Sequence, residues 1–190
     1  ILLIQGYNQW IKSYGKDYSY IIENFFGTTI TTHKCNCFTE TLFESFNCIE
    51  LRVSENINDS LDEYFSSICS ECNSDTKHNK FWNIPNTLII SLKRFDDDGK
   101  KLTTIVDFPQ DLELNKWMSS LKCDNDNYVY SLYAVNYHIG TADNGHYWSS
   151  CKNIEGEWYI YDDDNVSDIN NNCIDKNHAY ILFYLRCFVK

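Results

Sequence analysis

From Leu88 onward the chain repeats one pattern, short runs rich in Val, Ile, Leu, Tyr and Phe cut by clusters of Gly, Asn and Asp. "YVYSLYAVNYHIG", "GHYWSSCK", "EWYIYDD" and "AYILFYLRCF" are four such runs, each of strand length and bounded by turn formers. Ahead of them, "TLIISLKRF" and "LTTIVDFP" flank Asp98-Gly99, and the spacing predicts a hairpin. The second half is therefore a mostly antiparallel sheet. With 190 residues and 43% hydrophobic content, the chain is one domain or a large piece of one, and can bury a core.

The first half is more mixed. "YSYIIENFF" carries apolar residues at helical spacing before Gly27 and predicts a short helix. "TTITTHKCNCFTETLFESFNCIELRV" predicts two strands, and "SLDEYFSSI" a helix opened by a Ser60/Glu63 capping box. The Asn- and Asp-rich stretch from Asp168 to Asn172 reads as loop filler.

Charge and cysteine usage restrict the partners. A net charge of -11 argues against phosphate-mediated nucleic-acid binding, which needs a basic face. The opening "ILLIQGYNQW" lacks both the basic flank of a signal peptide and the length of a membrane span, so a soluble, monomeric protein of the cytoplasm or nucleus is expected. In that setting the nine cysteines are expected as thiols or metal ligands. Cys35 and Cys37 form one close pair and Cys69 and Cys72 another, and two short turns supplying four thiolates are how a closed tetrahedral zinc site is built. His33 stands near enough to replace one ligand, and a site without metal stays open as the alternative. Cys48, Cys123, Cys151, Cys173 and Cys187 fall in or beside apolar runs and are expected to be buried.

The remaining chemistry lies in "DNGHYWSSCKNIEGEWYIYDDD". His146 opens one strand and Asp162 closes the next, 16 residues on, after a turn near Glu155-Gly156. Antiparallel neighbours bring the start of one strand beside the end of the other, so the two side chains can meet. An aspartate accepting the Nδ1 proton of an imidazole orients it as a base for a thiol or hydroxyl. The alternatives for "DDDNVSD" are a solvated acidic loop or a calcium loop, but an EF-hand needs an oxygen ligand and a Gly where Val166 and Ser167 stand.

Taken in order, these segments resemble the ubiquitin-specific proteases, the papain-like cysteine deubiquitinases. "IIENFFGTTITTHKCNC" and "CSEC" resemble the family's two zinc-ligand segments, and "IPNTLIISLKRF" its Pro, apolar strand and Lys-Arg-Phe. "VDFPQDLEL", "YSLYAVNYHIGTADNGHYWSSCKN", "WYIYDDDNVS" and "AYILFYLR" resemble its later strands. The resemblance implies an α+β, mostly antiparallel papain-like fold. It would divide into the end of a thumb (1–27), zinc-finger-like fingers (28–84) and a palm (85–190). It implies structural zinc on Cys35, Cys37, Cys69 and Cys72, and ubiquitin and ubiquitinated proteins as partners. It makes His146 the general base, Asp162 its orienting acid and Asp163 an assisting neighbour. His138, Tyr147, Asp96, Gly140 and Gly145 would line the channel for the ubiquitin tail, with loops 96–100 and 140–144 folding over it. The acidic balance would suit the basic tail of ubiquitin.

Three departures stand against the pattern. No cysteine follows the family's Asn-x-Gly-Asn-x-Cys nucleophile box, the first zinc pair is C-x-C rather than C-x-x-C, and the stretch from Ser60 to Cys69 is short. The nucleophile is expected before Ile1, and an inactive ubiquitin-binding or scaffold protein of the same fold is the alternative function.

Overall fold

The computed structural model describes residues 19–34, 39–67, 77–122, 126–169 and 174–187. The described residues hold two short α-helices, a 3-10 turn and twelve strands, and the strands form two sheets. The smaller has the order β2-β1-β5-β4, from β1 (Gly27–Lys34), β2 (Thr39–Phe46), β4 (Ser66–Ser67) and β5 (Lys77–Asn83). The larger has the order β11-β10-β9-β8-β12-β6-β3. Its members are β3 (Ile49–Arg52), β6 (Thr87–Lys93), β8 (Val129–Gly140), β9 (Gly145–Lys152), β10 (Trp158–Asp162), β11 (Asn165–Ile169) and β12 (Ala179–Arg186), with β7 (Asp111–Glu113) pairing onto β8. All described pairings are antiparallel except β3 with β6.

The alternation seen in the sequence supplies the core. Ile49, Leu51, Leu88, Ile90, Leu92, Val135, Tyr137, Leu182 and Tyr184 point from one face of the large sheet into a continuous apolar cluster. Phe65 and Phe81 carry that cluster towards the small sheet, their ring centroids 4.6 Å apart. Buried tyrosine hydroxyls need acceptors. Tyr130 donates to the carbonyl of Pro85 and Tyr184 to that of Pro109, both at 2.8 Å. The only two prolines of the chain are thus each fastened to a central strand.

The four strands expected in the second half are present, but four other expectations change. The segment after Gly99 pairs back only beside the turn, with Lys101 bridging Phe95 and the Leu102 amide donating to the Arg94 carbonyl at 2.6 Å, and does not continue as the second arm of a hairpin. The turn itself forms, with the Gly99 amide on the Asp96 carbonyl at 3.0 Å, yet β6 already pairs with β3 on one edge and β12 on the other. A returning strand has no free edge, so residues 102–106 leave the sheet and only Val106 and Phe108 enter the core. Residues 28–53 form three strands rather than two. Part of the supposed filler is β11, whose exposed residues pair with β10 through backbone bonds that need no apolar pattern.

The second helix, α2 (Ile57–Phe65), begins three residues before Ser60; the first, α1, spans Tyr20–Phe25. Asn56, not Ser60, is the N-cap, its side chain accepting from the Asp59 amide at 2.9 Å. Ser60 is fully buried on the inner face beside Ile57, Leu61 and Phe65, at i, i+3, i+4 spacing. Asn56→Ala should therefore lower the unfolding free energy by about 1 kcal/mol, while Ser60→Ala, which leaves the cap intact, should cost less; urea midpoints of the two variants decide between them.

Candidate functional site

Register fixes the site. Tyr161 pairs with Ser149, so the next residue of β10, Asp162, comes opposite Trp148. His146 lies two residues from Trp148 on β9 and shares its face, which makes His146 and Asp162 diagonal neighbours within side-chain reach. Their contact is direct, His146 Nε2 to Asp162 Oδ1 at 2.5 Å. Both side chains are about half exposed, at 45% and 46%.

The atom in contact differs from the expectation. Nε2, not Nδ1, faces the carboxylate. With Nε2 on Asp162, Nδ1 meets no described residue and stays available for a reacting group. Asp163 follows in a two-residue turn closed by the Asp162–Asn165 pair, with φ of 50°, a conformation Asp tolerates better than most side chains. Donor atoms of His146, Asp162 and Asp163 lie within 4.8 Å of one another. Among the described residues they are the cluster that could hold a metal ion, although this geometry serves equally as an imidazole braced by carboxylates.

His138 belongs to a second group. It pairs with Tyr147 across β8 and β9 and is 2% exposed, on the opposite face from His146. Its ring packs against Tyr147, Phe95 and Tyr180 at centroid distances of 4.4, 5.7 and 5.7 Å. Lys101 Nζ lies 3.0 Å from His138 Nδ1 and donates to the His138 carbonyl at 2.5 Å. An ammonium only donates, so Nδ1 accepts and the ring proton sits on Nε2. Burial, and then the Lys101 charge, hold His138 below the ordinary histidine range. Lys101 is itself held low by burial and by Arg94.

Gly145 closes this pocket: a Cβ there would stand 2.1 Å from His138 Nε2 and 2.6 Å from the Ile139 carbonyl. Gly140, with φ of 118°, turns the chain into the loop 141–144, where the Thr141 amide donates to the Asn144 carbonyl at 2.7 Å. Asp96 organises the other loop, its carboxylate accepting from the amides of Asp98 and Lys100 at 3.1 and 2.8 Å. Tyr147 is 53% exposed. His146, Asp162 and Asp163 thus form one cluster, and His138, Tyr147 and Gly145 a second on the reverse face.

Arg94, read only as part of Lys-Arg-Phe, is almost wholly buried. It ties three segments together, with Nε on the Ala179 carbonyl at 2.5 Å and one guanidinium nitrogen on the Leu102 and Thr104 carbonyls at 3.2 and 2.8 Å. Nothing in its sequence neighbourhood marks it or Lys101 as buried cations. Each has a carbonyl partner far along the chain, Ala179 for Arg94 and His138 for Lys101.

Cys35, Cys37, Cys69 and Cys72, with Cys123 and Cys173, lie outside the described residues, as does the side chain of His33. Cys48, Cys151 and Cys187 are half-buried, not the fully buried residues expected, because they sit on the less covered face or at strand ends. None of these three is near His146. Cys151 faces the other side of β9, Cys48 lies beside β3 at the far edge of the sheet, and Cys187 adjoins Val129 at the opposite end of β8. Burial also pushes the Cys48 and Cys151 thiols up, away from thiolate character.

The site is thus an imidazole–carboxylate pair at the end of a mostly antiparallel sheet, with no described residue on the second ring nitrogen. Comparison with known proteins specifies the class. The ubiquitin carboxyl-terminal hydrolase family matches residues 3–184, and the chain belongs to that family. Ubiquitin carboxyl-terminal hydrolase 9 of Arabidopsis thaliana is 36% identical over 146 residues, covering 74% of this chain and 16% of the relative. Ubiquitin carboxyl-terminal hydrolase 2 of Gallus gallus is 36% identical over 146 residues, covering 73% and 39%. Among solved structures, a chain of the SAGA Ubp8/Sgf11/Sus1/Sgf73 DUB module bound to ubiquitin aldehyde superposes with a TM-score of 0.76 at 26% identity, covering 96% of this chain and 48% of that one. The Ubp8-Sgf11-Sgf73-Sus1 SAGA DUB module gives 0.79 at 25% identity, covering 96% and 47%. The fold is that of the ubiquitin-specific proteases. This chain spans less than half the length of each of these relatives, and the monomeric state expected from the sequence gains no support from neighbours that are multi-protein modules.

The buried neutral His138 makes stability depend on pH. In the unfolded chain it protonates near pH 6.5, while the folded protein resists, so the unfolded state binds more protons and stability falls as pH drops through that value. Asp175 adds a loss at lower pH. Burial raises its carboxyl, but the His178 hydrogen bond and backbone amides outweigh this and leave it below the usual range. Unfolding measured between about pH 7 and about pH 5 should show a shallower decline in His138→Gln than in the wild type; an unchanged slope would refute the neutral assignment.

Proposed function

We propose that the protein containing this chain is a thiol-type deubiquitinase, hydrolysing the isopeptide or peptide bond after the C-terminal Gly of ubiquitin. The observation that carries this reading is the His146–Asp162 contact, with Nδ1 of His146 left free of the described residues. Asp162 orients the ring, and Asp163 adds negative charge beside it. His146 takes the proton of a cysteine thiol; the thiolate attacks the carbonyl, and His146 returns the proton to the leaving amine. Water then hydrolyses the acyl-enzyme with His146 again as base. In this reading the thiol is supplied by a part of the protein outside this chain, in keeping with the remote positions of the described cysteines Cys48, Cys151 and Cys187 and with a chain that covers under half of its structural neighbours.

The loops at 96–100 and 140–144, with His138, Tyr147, Asp96, Gly140 and Gly145, form the passage for the ubiquitin tail. Ubiquitin aldehyde bound to the related DUB module supports that partner, and the net charge of -11 suits a basic tail. In the complete protein, His146→Ala should abolish turnover of a ubiquitin conjugate while ubiquitin is still bound. Turnover in the variant would refute the assignment, and binding without turnover in the wild type would make the protein a scaffold.

Structural zinc on Cys35, Cys37, Cys69 and Cys72 is the second part of the proposal, with residues 28–84 as the fingers around it. The donor set fits, and so does the register. His33 and Ser67 both pair with Lys77, so the strands leading into the two cysteine segments end at the same edge of one sheet. Such a metal would contribute folding energy there, not chemistry. Metal analysis of the purified protein should find one zinc per chain, lost in Cys69→Ser; a metal-free wild type would exclude it.

A further inference from the structure

Among the described residues Asp162 is the one hydrogen-bond partner of the His146 ring, and a single bond at Nε2 does not fix the ring. The ring hangs from Cβ at one end and meets Asp162 at the other, so it can still turn about that axis, and the outer torsion of histidine is intrinsically broad. Turning would swing Nδ1 away from whatever it must reach. The indole of Trp148 stands beside the ring. It lies two residues along β9 on the same face, nearly parallel to the imidazole, with centroids 5.9 Å apart and planes inclined by 19°.

Trp148 is itself held from two further sides. Tyr137, its cross-strand partner on β8, stacks on it at 5.3 Å and 26°, and the Tyr137 hydroxyl is tied to Ser150 at 3.0 Å. His178 meets the indole at 5.5 Å, and its Nδ1 is anchored 2.6 Å from Asp175 Oδ2. The His178 carbonyl accepts from the His138 amide at 3.0 Å, which joins the start of β12 to β8 behind the stack. A rigid aromatic series thus runs from the buried Tyr137 through Trp148 to the exposed His146.

We propose that Trp148 is a positioning residue for His146, its indole plane fixing the ring rotation that directs Nδ1 at the reacting thiol. This rests on the deubiquitinase reading for its catalytic consequence, but the stack itself does not. Trp148→Leu keeps apolar bulk and removes the plane, whereas Trp148→Phe keeps a plane. In the complete protein, Leu should lower kcat about tenfold or more with KM changed less than about twofold, and Phe should recover most of that loss. In parallel, with 13C at histidine Cε1, the His146 ring proton should show an upfield ring-current shift in the wild type and in Phe, and lose it in Leu. Should Leu unfold the sheet, Trp148→Met replaces it in both measurements. An unaltered kcat in Leu, a Phe variant as impaired as Leu, or a wild-type ring proton without the shift would each overturn the proposal. If the wild type shows no turnover at all, the function assignment fails while the ring signal still judges the stack.

Discussion

Strand register from β8 through β10 is the constraint on which the site depends. Side chains alternate with a period of two, so a slip of one residue between β9 and β10 would carry Asp162 to the face opposite His146. Burial prevents the slip. Trp158 and Ser150, on the same two strands, are almost wholly buried on the face that carries the pair, and either would be turned to the reverse side by a shift. The apolar core thus sets the position of two half-exposed polar side chains that contribute little to it.

Much of this was readable in the sequence because local patterns carried it. β8, β9, β10 and β12 follow from runs of strand formers bounded by turn residues, and the His146–Asp162 meeting follows from antiparallel geometry alone. The failures share a physical origin. Residues 102–109 read as a strand, and they are apolar enough to be one, but the edges of β6 are taken by β3 and β12, from positions about 40 residues before and 90 after. Conversely β5, "KHNKFWN", and β11, "NVSDI", lack strong apolar alternation and still pair, because neighbouring strands offer an open edge.

Side-chain detail was legible only where it depended on spacing. Spacing brings His146 to Asp162 but does not say which imidazole nitrogen arrives. Arg94 and Lys101 are cations in a polar-looking turn, one buried and one partly buried, and their placing depends on the carbonyls of Ala179 and His138 in distant strands. Trp148 looks like any strand aromatic until Tyr137 and His178 are seen beside it. Its place in the stack is a product of three strands.

One consequence concerns synthesis. β12 lies in the middle of the large sheet, between β8 and β6, yet it follows all other strands described here along the chain. As the polypeptide leaves the ribosome, β3 with β6 and β8 with β9 through β11 can form as separate halves, each with an open edge where β12 belongs. Open apolar edges are the usual route to pairing between nascent chains. The halves join when β12 emerges, and the Arg94 bond to Ala179 at its first residue then closes a loop of 85 residues. Completion of this sheet therefore waits on β12, and a nascent chain halted before residue 179 would expose the edges that the finished sheet conceals.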